Sequence, residues 1–201
     1  MEEVADEFVK QLVARASKLK LGAGMQTGSE VGPVVDGAQH KEVLDGIEAA
    51  KKSGARLLLG GDAPKTGELS KGFFINPTIF DHVDPKSELG QEELFGPVLA
   101  VIRVKSFDEA IEAANGVRYG LSSSVYTRDT NRVFRFLDRI ETGITHVNSP
   151  TMGGEAQLPF GGVKATGVGS REQGSVAVDF YTELKTVYID YTGQKRDSKI
   201  Y

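Results

Sequence analysis

An α/β fold built on a doubly wound, mostly parallel sheet is what this sequence predicts, and three observations carry the prediction. Short apolar runs alternate with segments of helical period from Ala55 to Asn148, the rhythm of repeated strand and helix units in a mostly parallel sheet. Helix punctuation falls where that rhythm needs it, with Asp36, Ser106 and Asp129 at helix starts and Gly22, Gly54 and Gly143 at helix ends. The 201 residues, 39% hydrophobic and 26% charged, suffice for one sizeable core and would be a squeeze for two full domains.

Each element follows from its residues. Phe8, Val9, Leu12, Val13, Ala16 and Leu19 recur at helical spacing and predict a helix over residues 3–20, stopped by Gly22-Ala23-Gly24. A second helix is predicted over residues 36–53, capped by Asp36, with Val43, Leu44, Ile47 and Ala50 as its buried stripe and Gly54 as its stop. Residues 55–59 read as a short buried strand closed by Gly60-Gly61. Residues 62–72, rich in Gly, Pro, Lys and Ser, suit a surface loop or hairpin; residues 73–80 resume extended structure, with Pro77 hinting at an edge or bulge. Residues 99–104 predict a strand, and Ser106-Phe107-Asp108-Glu109 has the form of a capping box opening a helix that ends at Asn115-Gly116. Another strand is expected over residues 122–127. Asp129 then opens a helix with Val133, Phe134, Leu137 and Ile140 inward, and residues 144–147 return to strand.

Beyond Asn148 the sequence predicts a Gly-rich loop to about Gly169, a short helix near residues 171–178 and a last alternating strand over residues 180–191. That strand has no obvious partner nearby in sequence, and an unpaired edge of this length invites aggregation. It is therefore expected to pair with another segment or chain, as in a homo-oligomer. The expected division is an α/β domain over residues 1–178 and an oligomerisation strand and tail over residues 179–201. There is no internal repeat and no low-complexity tract.

Composition narrows the function classes. A net charge of −4 with scattered Lys and Arg gives no basic stripe to hold a phosphate backbone, so no nucleic-acid partner is expected. No apolar run approaches the length of a membrane span, and the acidic start lacks the pattern of a signal peptide, so the expected location is cytoplasmic, with no membrane partner. The chain has no cysteine, which excludes disulfides, thiolate metal sites and a cysteine nucleophile of its own. His40, His82 and His146 are far apart in sequence and none has a second ligand at metal spacing, so no metal site is expected.

The densest chemistry lies in Gly90-Gln91-Glu92-Glu93-Leu94-Phe95-Gly96-Pro97-Val98. Glu93, in a Gly-bounded loop, offers a carboxylate that can accept from both vicinal hydroxyls of a ribose. Phe95 can present a flat apolar face beside it, and Gly96-Pro97 makes a stiff corner. On the residues alone a plainer reading stays open, with Glu92 and Glu93 a solvated pair and Phe95 a core residue. Gln39, at the start of the second helix, suits either a diphosphate neighbour or a capping amide that satisfies its own helix end. The glycines of residues 161–169 make no nucleotide-binding fingerprint, because no strand immediately precedes them and no acid follows at the expected distance. Lys164 reads as structural, and Arg118 with Tyr119-Gly120 as packing and capping.

Four collinear segments resemble the C-terminal part of the NAD(P)-dependent aldehyde dehydrogenase superfamily: Gly32-Pro33 with Gln39; Phe74-Ile75-Asn76-Pro77-Thr78; Glu92 through Val98; and Pro159-Phe160-Gly161-Gly162-Val163-Lys164-Ala165-Thr166-Gly167 with Arg171-Glu172. Thr166 stands where the family usually has Ser, a mild departure. The resemblance implies that Glu93 binds the nicotinamide ribose of NAD or NADP, that Phe95 packs at the nicotinamide ring and that Gln39 touches the phosphate-ribose portion. It also implies that the loop over residues 148–160, with Thr151, Met152 and Phe160, lines the aldehyde tunnel. Ser149, Thr151 and Gln157 add polar contacts, which favour a small semialdehyde or oxo-acid aldehyde. In the resembled reaction a thiolate attacks the aldehyde, an oxyanion is held by an Asn side chain and a backbone N–H, hydride passes to the nicotinamide, and a Glu-activated water releases the acid. The resemblance places the Cys, the base, that Asn and the dinucleotide-binding domain upstream of this sequence, so no catalytic residue is assigned here, and the chain alone is expected to be inactive and to bind NAD or NADP poorly, because Glu93 and Phe95 reach only one end of the cofactor. The alternative is a non-catalytic oligomerisation or regulatory partner of a full-length aldehyde dehydrogenase.

Overall fold

The computed structural model describes residues 1–193. Helix α1 (Glu2–Ala16) turns Ala5 and Val9 inward. Asp36 caps α2 (Gly37–Lys52) by accepting from the Gln39 backbone N–H at 2.8 Å. Strands β1 (Arg56–Leu59) and β2 (Thr78–Asp81) follow, with a 3-10 turn at Glu68–Lys71 between them. A one-turn helix α3 (Glu88–Gln91) precedes β3 (Val98–Ala100), and the Ser106 hydroxyl caps α4 (Phe107–Asn115) as the capping box requires. Next come β4 (Tyr119–Gly120), β5 (Ser122–Val125), α5 (Thr130–Arg139) capped by Asp129, and β6 (Ile144–Val147). The last elements are β7 (Val163–Lys164) and α6 (Val176–Tyr181). Among the described residues no helix is long and apolar enough to cross a membrane.

The α/β content agrees with the sequence, but the expected single sheet, doubly wound and mostly parallel, is replaced by three small ones. Strand β2 sits between β1, antiparallel, and β3, parallel; β4 and β7 pair antiparallel; β5 and β6 pair parallel. Connections explain the directions. Helix α5 crosses over between β5 and β6, which lets them run the same way, whereas β1 returns to β2 through a loop and a 3-10 turn with no α-helical crossover.

One core organises the first half. Val43, Ile47 and Ala50 of α2 meet Ile75, Phe80 and Val83 in a buried cluster, and all four residues of β2 are buried. Each fully buried side chain of this size contributes roughly 1.5–3 kcal/mol. Asp81 is the polar exception, 1% exposed at the end of β2. Arg103 answers it with a two-point bond, Nε to Oδ1 at 3.0 Å and Nη2 to Oδ2 at 2.7 Å, and reaches Asp6 of α1 with Nη1 at 2.7 Å. The guanidinium, with the His82 backbone N–H, holds the Asp81 carboxyl below its ordinary range although burial opposes this. Arg103 thus ties α1 to the central strand.

Three other expectations change. On α5 the buried residue is Phe136, 6% exposed, while Phe134 is 66% exposed and Leu137 also lies at the surface. Two apolar stripes compete on that helix, and the one bearing Phe136 is the one that is buried. The expected helix at residues 171–178 is formed later, as α6. The expected strand over residues 180–191 is absent: its first residues belong to α6, and residues 182–191 form no strand among the described residues, with Leu184, Val187, Tyr188, Ile189 and Tyr191 exposed. An alternating segment becomes a strand only when it pairs with an edge, and residues 182–191 pair with none of the described strands. Residues 194–201 of the expected tail lie outside the described residues.

Candidate functional site

The acidic motif is a loop clamped against α2. Leu94 packs where a Cβ on Gly46 would come within 2.7 Å of its Cδ2, and Gly96 lies where a Cβ would meet both methyls of Val43 at 2.8 Å, so a larger residue at either position would force these side chains to shift. Tight turns hold the corner, with Gly96 N–H donating to the Leu94 carbonyl at 2.7 Å and Val98 N–H to the Gly96 carbonyl at 2.8 Å. With Leu94 turned in, the residues on either side turn out. Glu93 is exposed and Phe95 is 70% exposed, so Phe95 is no core residue.

The two acids differ. Glu92 Oε2 accepts from Arg118 Nη2 at 2.7 Å and from Tyr119 Oη at 3.0 Å, and these partners, Arg118 foremost, lower its carboxyl from the usual range. Among the described residues Glu93 makes no hydrogen bond or ion pair. Its carboxylate stands between two clefts. One, about 630 Å³, is shared with Ala38, Lys41, Glu42 and Asp45 of α2. The other, about 470 Å³, runs along Tyr119, Leu121, Ser122, Thr142 and Thr166.

Gln39 sits in the first turn of α2, next to Ala38 at the rim of the first cleft. Capping there is done by the Asp36 carboxylate, not by the Gln39 amide; the amide nitrogen Nε2 is buried and has no partner. A buried donor left unpaired costs about 1–3 kcal/mol, so the end of this side chain is poised for a group that the described residues do not supply.

The second half of the site starts at the end of β6. Asn148, at φ 55°, accepts from Thr127 N–H at 2.8 Å with Oδ1 and donates to the Thr127 carbonyl at 2.9 Å with Nδ2, clasping the ends of β5 and β6. The loop that follows encloses a cleft of about 600 Å³ whose lining includes His146, Ser149, Met152, Glu155, Phe160 and Gln173. Met152 is 81% exposed at its mouth, and Thr151 is exposed outside the lining. Phe160 is fixed by a two-bond bridge to Glu172, with N···O distances of 2.7 and 2.8 Å.

The glycine-rich stretch beyond Phe160 is structural. A Cβ on Gly143 would collide with the Gly161 carbonyl, so the loop lies directly on the backbone after α5. Thr166 Oγ1 accepts from Gly120 N–H at 3.0 Å, a bond that the usual Ser could also make. Lys164 Nζ donates to the carbonyls of Asn115 at 2.6 Å and Val117 at 3.3 Å, which agrees with a structural role. Sequence reading did not anticipate the tie from Glu92 to Arg118 and Tyr119, nor His146, whose Nε2 is buried without a partner. The period-2 signal could have found His146, two residues before Asn148 on a strand that opens into the cleft.

The profile described as the aldehyde dehydrogenase family matches residues 1–187. The chain belongs to that family. It is 45% identical over 191 residues to an alpha-ketoglutarate semialdehyde dehydrogenase of Haloferax volcanii, covering 94% of this chain and 39% of that protein. To the protein named aldehyde dehydrogenase, cytosolic 1, of Rattus norvegicus, it is 42% identical over 186 residues, 92% of this chain and 36% of the relative. The crystal structure of Mycobacterium tuberculosis aldehyde dehydrogenase complexed with NAD+ superposes with a TM-score of 0.87 at 35% identity, over 96% of this chain and 39% of that one. The chain therefore spans 36–39% of the length of these relatives.

Proposed function

We propose that this chain is the nicotinamide-side and aldehyde-side portion of an NAD(P)-dependent aldehyde dehydrogenase that oxidises an aldehyde to a carboxylic acid. The observation that carries the reading is the unpartnered Glu93 carboxylate beside the exposed ring of Phe95, on a loop fixed from both sides. NAD or NADP, when bound, supplies the two-electron acceptor. Glu93 would accept from the ribose hydroxyls, Phe95 would flank the nicotinamide ring, and the buried Gln39 amide would donate to the phosphate-ribose portion. These residues fit the group: a free carboxylate, an open apolar face and an orphaned donor are what a nucleotide of this kind satisfies.

On the aldehyde side, Phe160 and Met152 give the cleft apolar walls, with Thr151 at its approach. His146 and Ser149 make part of the lining polar, and a relative is named for a semialdehyde, so a small semialdehyde or oxo-acid aldehyde is the substrate class of this reading. The 201 residues contain no cysteine, so the nucleophile comes from polypeptide other than these residues, and the chain alone does not turn over. A cytoplasmic location belongs to the same reading, supported by the relative named as cytosolic. So does a division into a domain over residues 1–178 and an oligomerising segment over residues 179–201. The exposed apolar side chains of that segment also support the second reading, a non-catalytic partner in a mixed oligomer.

The test is an NMR titration of the chain with nicotinamide mononucleotide, using adenosine monophosphate as control. Shifts at Glu93 and Phe95 for the first ligand and not the second are expected, with affinity falling about 10-fold or more in Glu93→Gln. Equal response to both nucleotides, or none, would remove the reading.

A further inference from the structure

We propose that Glu92 is a positioning residue that sets the loop bearing Glu93 and Phe95 relative to the loop bearing Phe160. The proposal rests on the function inferred above for those loops, but its geometry does not. One carboxylate oxygen of Glu92 accepts two bonds, from Arg118 at 2.7 Å and Tyr119 at 3.0 Å. The guanidinium also lies over the Tyr119 ring, 4.7 Å from its centroid, so the two donors arrive as a stacked unit. Glu92 is thus withdrawn from ligand chemistry, while its neighbour is left free.

The donors themselves are built into the second loop. The Arg118 carbonyl accepts from Ala165 N–H at 3.0 Å, Tyr119 pairs with Lys164 and Gly120 with Val163, and Gly120 N–H donates to Thr166 Oγ1 at 3.0 Å. From there the chain runs back through Gly162, whose carbonyl accepts from Arg171, to Phe160 bridged to Glu172. Hydrogen bonds and the short stretches of backbone between them therefore join the two halves of the site through one carboxylate. Gln91 Nε2 braces the same junction by donating to the Pro85 and Gly116 carbonyls at 2.6 and 3.2 Å. Contiguity is not coupling, and coupling must be measured.

Amide hydrogen exchange on the full chain measures it without any ligand. Glu92→Ala is expected to raise exchange about fivefold at residues 93–97 and also at residues 160–167, leaving the α2 core near Val43 and Ile47 protected. Glu92→Gln, which keeps an acceptor for both donors, is expected to restore protection to within about twofold. Arg118→Met, approaching from the other loop, should reproduce the pattern, and the Glu92→Ala, Arg118→Met double variant should add nothing to either single one. Loosening confined to residues 92–98, additive effects of the two variants, or no rescue by Gln would each overturn the proposal. A failed nucleotide titration leaves these readouts unchanged, so the two ideas fail separately.

Discussion

Replacing Arg103 with Met should unbalance the centre of the fold. Asp81 is 1% exposed and accepts three close bonds, two from Arg103 and one from the His82 backbone N–H at 2.8 Å. The substitution removes two of them and the compensating charge, leaving a buried carboxylate with one donor. Such a broken pair costs about 3–5 kcal/mol, and the surviving His82 contacts place this case near 3. With a urea m-value of about 2 kcal/mol/M, the unfolding midpoint should fall by about 1.5 M. Adding Asp81→Asn removes the stranded charge and should recover about half of the loss. The pH dependence follows from the lowered native carboxyl of Asp81. Its contribution is complete above the ordinary aspartate range and fades as pH falls through the lower native value, so the gap between wild type and Arg103→Met should close in strong acid. A midpoint shift below about 0.5 M at neutral pH would refute the reasoning, since about 1 kcal/mol is what an exposed pair is worth.

Other substitutions probe the remaining features. Phe136→Ala should cost about 3–4 kcal/mol in urea unfolding while Phe134→Ala costs less than about 0.5, a contrast that checks which face of α5 is packed. Asn148→Ala removes two hydrogen bonds at a left-handed backbone position and should cost about 2–3 kcal/mol, read as faster amide exchange at the ends of β5 and β6; Asn148→Gly should recover the conformational part. Leu184→Ser with Tyr188→Ser should shift the chain to a smaller species in size exclusion, and an unchanged elution would argue against association through residues 180–191.

Features set by neighbours in sequence were legible in advance. The caps at Asp36, Ser106 and Asp129 are bonds to backbone N–H groups two or three residues on, so the residue types sufficed to find them. Phe134 and Phe136 were indistinguishable by spacing, because both lie on helical stripes and only tertiary packing decides between them. Strand direction failed for the same reason: pairing is chosen by distant segments, and the alternating pattern of residues 180–191 names no partner. In the site, the adjacent acids 92 and 93 are alike by residue type, and only the family resemblance singled out Glu93. What separates them is the Arg118 and Tyr119 pair, more than twenty residues away in sequence, and Gln39 gained meaning only once Asp36 was seen to do the capping.

The clasp at Asn148 and the bridge at Phe160 bound the intervening segment like two rivets. Residues 149–159 span the gap between anchors that do not depend on most of the sequence between them, so that stretch can be shortened, lengthened or recomposed while β5, β6 and β7 keep their places. For an engineer this is an exchangeable cartridge: libraries confined to it should alter which molecules are admitted at little expense to folding yield.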